Sequence, residues 1–407
     1  MSVLGRRPAV IVFLVFAFAY FFSALVRAIT ATLSPQLTQE FTLSARDLGL
    51  LAGGYFLGFA ALQLPLGQWL DRYGPRNVIL GFLAVAVAGC AAFALSQGFT
   101  GLLLARVLCG VGLGACLMAP LTGYRRWLDP VSQLRANSWM LMTGSMGMVA
   151  STLPVQWLLP QFGWRPLFWG LAGLLLLAML LIAWRVPGWT RASDGATPAP
   201  AARGTYAEVW RHPFFRRMTP VGFFNYGGMV AIQTLWAVPW MVRVAGYTPV
   251  QAATNLFWIN VAMLCTFWSW GLLVPRLTQR GIQAQQLIAW GTPLSLLVLG
   301  GIVFMGERWA GYSGWLWALF CVSSTFLSLA QPAVGMAFPS ELAGRALSAY
   351  NLVIFAGVFV VQWGIGLLID ALEALGWSTG GAFRGAMAVF LLLNLASYVY
   401  FLAAKRP

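Results

Sequence analysis

The sequence predicts an all-α membrane protein, with twelve transmembrane helices built as two pseudo-symmetric six-helix bundles. Three observations carry this. Of the 407 residues, 60% are hydrophobic and 9% are charged, and the mean hydropathy is +0.77. The apolar residues fall into about twelve runs of roughly 20 residues, the length that crosses about 30 Å of hydrocarbon. One long polar stretch, 187–217, divides those runs into six and six. A soluble chain of this composition would leave most of its apolar surface in water.

The first run, 8–33, follows Arg6 and Arg7 and so looks like a secretory leader. It is too long for one, and "SALVRAITATL" offers no small-residue cleavage site, so it is expected to remain as span 1. Spans 2 to 6 are expected at 46–69, 77–96, 99–121, 137–160 and 166–185. Spans 7 to 12 are expected at 218–243, 250–274, 286–306, 313–338, 347–370 and 383–404. Pro65, Pro120, Pro154, Pro239 and Pro332 interrupt these runs, as do "GSMG" (144–147) and "GIG" (364–366). Packed membrane helices tolerate such residues and bend at them. The polar stretch starts Ala/Pro/Gly/Ser-rich, as linkers do, and ends in "TYAEVWRHPFFRR", which suits a short surface helix. His212, the single histidine, lies there and is expected at the membrane surface. The expected units are residues 1–186, the linker 187–217, and residues 218–407.

The charge of +15 has a topological reading. With the N-terminus inside, inward segments hold 18 Arg and Lys residues and outward segments hold 5. That asymmetry places both termini in the cytoplasm. The basic residues are scattered singly between apolar runs, which argues against a nucleic-acid surface. All five cysteines lie in apolar runs and read as small hydrophobes, with neither disulfide nor metal spacing.

The halves carry traces of a repeat. Arg135 in "QLRANSWMLMTGSMG" and Arg345 in "AGRALSAYNLVIFAG" precede Gly147 and Gly357 by the same twelve residues. "GLLVPRLTQRG" (271–281) sits where "GQWLDRYGPRN" (67–77) sits in the first half, without its aspartate. Duplicated six-helix units are a recurring carrier design, with the binding site between the halves.

Three motifs then resemble one family. Gly67, Asp71, Arg72, Gly74 and Arg76 match the G-x-x-x-D-R-x-G-x-R loop between helices 2 and 3 of the major facilitator superfamily. "LLLARVLCGVGLGA" (102–115) is similar to that family's R-x-x-x-G-x-G-x-G, with Arg106, Gly110, Gly112 and Gly114. Gln63-x-Pro65-x-Gly67, Arg27, Arg106 and Gly163–Trp164–Arg165 resemble its anion:cation symporter branch. Gly67 is expected to allow close helix approach and Gly74 a tight turn. Asp71 is expected to face the positive N-terminal end of span 11 near Arg345. The resemblance implies that this contact latches the halves on the cytoplasmic side. Span 7 departs from several phosphate-carrying relatives in having no arginine before its last residue, Arg243, which disfavours a dianion held by two symmetric arginines.

Arg27 and Arg106 are the leading binding-site candidates. An arginine inside a span costs about 2.5–3.5 kcal/mol or more unless it meets water or a partner. Each lies about seven residues from an outer span end, roughly 10 Å deep at 1.5 Å per residue. They either line a cavity, or snorkel to headgroups or bond carbonyls. No Asp or Glu lies deep in any expected span, so two unpaired guanidiniums favour an organic anion, a small or aromatic carboxylate. Tyr55, Gln63, Asn225, Tyr226, Gln233, Asn260, Gln331, Asn351 and Gln362 complete the candidate site, with interhelical hydrogen bonding as their alternative role. Trp164, Trp309, Trp315 and Trp377 suit an aromatic belt, whereas Trp236 and Trp240 are placed to touch substrate.

The expected function is secondary transport of a small organic anion by alternating access across a bacterial cytoplasmic membrane. The expected partners are the lipid bilayer and a coupling ion, proton or sodium, in a monomer that carries no cofactor or metal. Uniport, exchange, or a proton carried by the substrate are the other couplings. Export of drugs or metabolites, or a non-transporting sensor of this fold, are the competing functions. An enzyme is disfavoured, because no nucleophile–base pair, metal cluster or deep acid is visible.

Overall fold

The structure, a computed structural model, describes residues 4–188 and 205–404. Most of the expected linker, Lys405 and Arg406 lie outside the described residues. Span 1 is Arg6–Phe41. Span 2 is Ala45–Ala61, continued past Leu62 into the first part of Gln63–Leu95; that helix turns at Gly74, and its remainder is span 3. Span 4 combines Phe99–Leu113 and Met118–Trp127, and span 5 combines Pro130–Ala150 and Leu153–Phe162. Span 6 is Trp164–Arg185.

Tyr206–Arg211 is the expected surface helix, capped by Thr205 and Glu208, and its Val209 is fully buried against the second half. Span 7 starts at Pro213 and ends at Arg243, passing through two π-helical segments, Val221–Tyr226 and Ile232–Trp236. Spans 8 and 9 are Pro249–Gln279 and Ala284–Met305. Span 10 runs from Ser313–Ser323 through a 3₁₀ segment, Ser324–Leu329, into Ala330–Met336. Spans 11 and 12 are Ser340–Ala374 and Thr379–Ala403.

Span 1 corrects the sequence expectation: it continues eight residues past 33, straight through Pro35. A proline orphans the carbonyl four residues earlier. Here that carbonyl belongs to Ala31, and Ser34 Oγ donates to it at 2.7 Å. With its backbone satisfied, the helix runs on to Thr42, where φ turns positive (49°).

The first six spans pack on one another and the last six do likewise, most closely through pairs 1/5, 2/4, 3/4 and 3/6, then 7/11, 9/10, 8/10 and 11/12. Apolar helices gain little from leaving lipid for each other, so close backbone approach supplies the packing. The repeat appears here atom by atom. A Cβ on Gly147 would strike the Phe21 carbonyl of span 1, and one on Gly357 would strike the Phe223 carbonyl of span 7. The 2–3 turn has Gly74 at φ 78° and the 8–9 turn has Gly281 at φ 81°.

Across the halves, spans 2/11, 1/7 and 5/8 meet. Twelve crossings put both termini and the surface helix on one face, here the terminal face. On the opposite face the halves are shut. Cβ atoms on Gly49 and Gly366 would collide with the Gln362 and Ala45 carbonyls. A void of about 10 Å³ remains between Thr38, Leu43, Ala45 and Leu48 on one side and Trp236, Pro239, Arg243 and Phe383 on the other.

Candidate functional site

Arg27 stands within one turn of the middle of span 1, deeper than the sequence count placed it, because that count ended the helix too early. Its side chain is half-buried. The groups that act on its guanidinium are three phenols: Tyr20 of span 1, Tyr55 of span 2 and Tyr226 of span 7. The last belongs to the other half, so Arg27 lies on the seam between the bundles. Tyr226 ends the first π-helical segment of span 7, where the extra residue per turn re-aims side chains. Arg27 Nε is buried without a hydrogen-bond partner among the described residues. Tyr20 was not expected at the site, although its spacing of seven residues from Arg27 puts both on one helix face.

Arg106 does not line the seam, which corrects the expectation. It is 0% exposed and sits one layer behind, inside the first bundle. Nη1 donates to the Val26 carbonyl at 2.9 Å, and Cζ lies 5.1 Å from the centroid of the Tyr55 ring. Nε and Nη2 have no partner among the described residues, and neither does the Tyr55 hydroxyl. Tyr55 is thus a fully buried ring acted on by both guanidiniums. Arg106 holds the backbone that carries Arg27.

The remaining polar candidates are mostly spent on packing. Gln233 Nε2 donates to Asn260 Oδ1 at 2.8 Å, and Gln331 Nε2 to Asn351 Oδ1 at 2.6 Å. Gln362 Nε2 donates to Thr234 Oγ1 at 2.9 Å, and Asn225 Nδ2 to the Asn394 carbonyl at 3.2 Å. Gln63 Nε2 bonds back to the Phe59 carbonyl of its own span, across the break at Leu62. Trp236 is fully buried at the shut end of the seam, where it lines the small void and donates Nε1 to the Gln362 carbonyl, and Trp240 is buried beside Trp317, so both are held in packing. A buried amide or indole must find an acceptor, and in these spans the neighbouring helix provides it.

The seam between spans 2 and 11, beside Tyr55, is instead aromatic. Phe59 and Phe355 meet across the halves at 4.5 Å between centroids, and Phe56 stacks on Phe355 at 6.1 Å. The acids with described partners are engaged at helix ends. Glu40 accepts from Arg165 Nη1 and from Trp164 Nε1, both at 2.6 Å. That pair corrects Trp164, which is buried and does not stand in an aromatic belt; Trp309, Trp315 and Trp377 are exposed as expected.

The helix 2–3 loop serves its own half here. Arg76 donates to the Ala183 carbonyl in the last turn of span 6, a cation on a helix C-terminus. Arg72 lies over the Tyr73 ring. The charge acting on Asp71 is Arg125 of span 4, whereas Arg345 of span 11 acts on Tyr206 of the surface helix. Among the described residues, the expected contact of Asp71 with span 11 is not seen in this conformation. Gly67 meets open space, so it mediates no close helix approach here.

Two six-helix bundles meeting at a half-buried arginine on their seam define a membrane carrier. The chain belongs to the Major Facilitator Superfamily, which it matches over residues 16–362. It is 25% identical over 380 residues to the 3-(3-hydroxy-phenyl)propionate transporter of Escherichia coli (strain K12), covering 89% of each chain. It is 30% identical over 180 residues to the gallate transporter of Pseudomonas putida, covering 43% of this chain and 39% of that one. Among solved structures, a bacterial homolog of the human lysosomal transporter Spinster superposes with a TM-score of 0.81 at 18% identity, covering 98% of both chains. The chain is a transporter of this superfamily and not an enzyme.

Proposed function

We infer that this carrier moves a small aromatic carboxylate by alternating access, with Arg27 as the carboxylate anchor. The single observation behind this is the composition of the seam. One half-buried guanidinium interacts with three phenols, an aromatic cluster packs on one of those phenols, Tyr55, and the acids with described partners are engaged elsewhere. A guanidinium binds carboxylate oxygens through two parallel hydrogen bonds, and phenol hydroxyls supply further donors. Ring faces receive the rest of such a substrate. Two relatives named for aromatic acids agree with this reading.

Tyr20, Tyr55 and Tyr226 orient the guanidinium, and Arg106 positions span 1 from behind. The terminal face is cytoplasmic, supported by 18 basic residues in the segments on that side against 5 on the other. The membrane is the bacterial cytoplasmic membrane, the functional unit is the monomer, and a proton or sodium ion accompanies the substrate. The test is uptake into proteoliposomes of benzoate-type and phenylpropionate-type acids against their neutral amides. Uptake of the acids, lost in Arg27→Ala, supports the reading; equal uptake of the amides defeats it.

A further inference from the structure

We propose that Asp370 is a latch that holds the face opposite the termini shut, and that this face opens only when its carboxylate leaves the N-terminus of span 2. The proposal is independent of what the carrier moves. The first N–H groups of any helix lack intrahelical acceptors. In span 2, Asp47 N–H is taken by Ser44 Oγ at 3.2 Å, and Ser44 N–H by Asp47 Oδ2 at 3.4 Å. The next two donors are satisfied from the other half of the protein. Ala45 N–H goes to Asp370 Oδ1 at 2.9 Å, and Arg46 N–H goes to Asp370 Oδ2 at 3.1 Å. Spans 8 and 12 cap themselves with Thr248 and Ser378, as span 2 does with Ser44; among the described residues, span 2 adds to its own cap a carboxylate from 325 residues away.

The surrounding seam is backbone against backbone at Gly49 and Gly366, so the halves seat flush and bring the carboxylate into register. Negative charge at a helix N-terminus is favourable. Both partners lie near the surface: Asp370 is part-buried, and the Arg46 side chain is 55% exposed and turns to Asp47 at 3.5 Å. When the halves part, water replaces each bond, so the latch releases without burying an unpaired group. Asp71 occupies the mirrored place at the other end of span 2, and here its charged neighbour is Arg125 of its own half. The end of the 2/11 pair at Asp370 is fastened in this structure.

The experiment measures spin-label distances by pulsed EPR in the full-length protein in nanodiscs. Gln39→Cys and Leu375→Cys carry the labels, on the exposed rim of each half, in a Cys265→Ser background. Asp370→Ala and Asp370→Asn are expected to raise the long-distance population about tenfold. Ala45→Pro removes one donor while suiting the first helical position, and is expected to shift the distances the same way. Combining it with Asp370→Ala should add little further. Unchanged distance distributions in all three single variants, or fully additive shifts in the combination, would overturn the latch. If Asp370→Ala does not purify as a folded protein, Ala45→Pro and Asp370→Asn decide the question.

Discussion

Arg27 and Arg106 are the same residue type at similar depth, yet the structure gives them different tasks. Arg27 interacts electrostatically with a phenol of the opposite bundle, and Arg106 is sealed behind Tyr55 with one bond to the Val26 carbonyl. Losing the anchor forfeits charge-assisted bonds worth about 2–4 kcal/mol, so Arg27→Ala should weaken carboxylate binding at least about 30-fold. Arg27→Lys should restore only part of that, because an ammonium lacks the two-pronged geometry. Arg106→Ala acts through span 1 and should weaken binding by no more than about tenfold. Isothermal calorimetry on purified protein separates these outcomes. The sequence could name both arginines but could not rank them. Rank depends on which side of an all-apolar helix faces the seam, and such helices have no polar face to reveal it. The amides illustrate the same limit: Gln233 and Asn260 are 27 positions apart, and nothing in either local pattern announces their bond.

At the scale of elements, proline and glycine decide the geometry. Ser34 rescues the carbonyl that Pro35 orphans, so Ser34→Ala should destabilise the protein by about 1 kcal/mol, read as a lowered midpoint in a thermal unfolding assay. Gly147→Ala and Gly357→Ala should each cost about 1–3 kcal/mol by the same assay, since each methyl group would enter a neighbouring carbonyl. Comparable costs at the two glycines would reflect the repeat that equal Arg-to-Gly spacings already suggested. The spans themselves were legible because lipid demands long apolar runs. The true end of span 1 was not, because one hydroxyl's bond to a carbonyl overrides a proline. The helix 2–3 motif was legible as a sequence. Its present engagement, with Arg76 on span 6 and Asp71 near Arg125, depends on which face of the carrier is shut.

For the whole molecule, two bundles closed on the face opposite the termini, with an arginine on their seam, form one arrangement of a carrier that must also adopt another. The basic-residue asymmetry predicts the orientation directly. A membrane-impermeant maleimide applied to intact cells should label Trp377→Cys, on the opposite face, and should label Arg211→Cys, on the surface helix, only after the membrane is breached. The reverse pattern would invert the protein and exchange the two sides of the latch. Such an inversion would leave the anion assignment untouched, because that assignment rests on the chemistry of the seam and not on its direction.

The most direct measurement of the central claim is calorimetric binding of one aromatic carboxylate and its uncharged primary amide to the wild-type protein and to Arg27→Ala. The account predicts that the wild type binds the acid far more tightly than the amide, and that Arg27→Ala erases the difference. Equal affinity for acid and amide in the wild type, or an undiminished preference for the acid in Arg27→Ala, would contradict it.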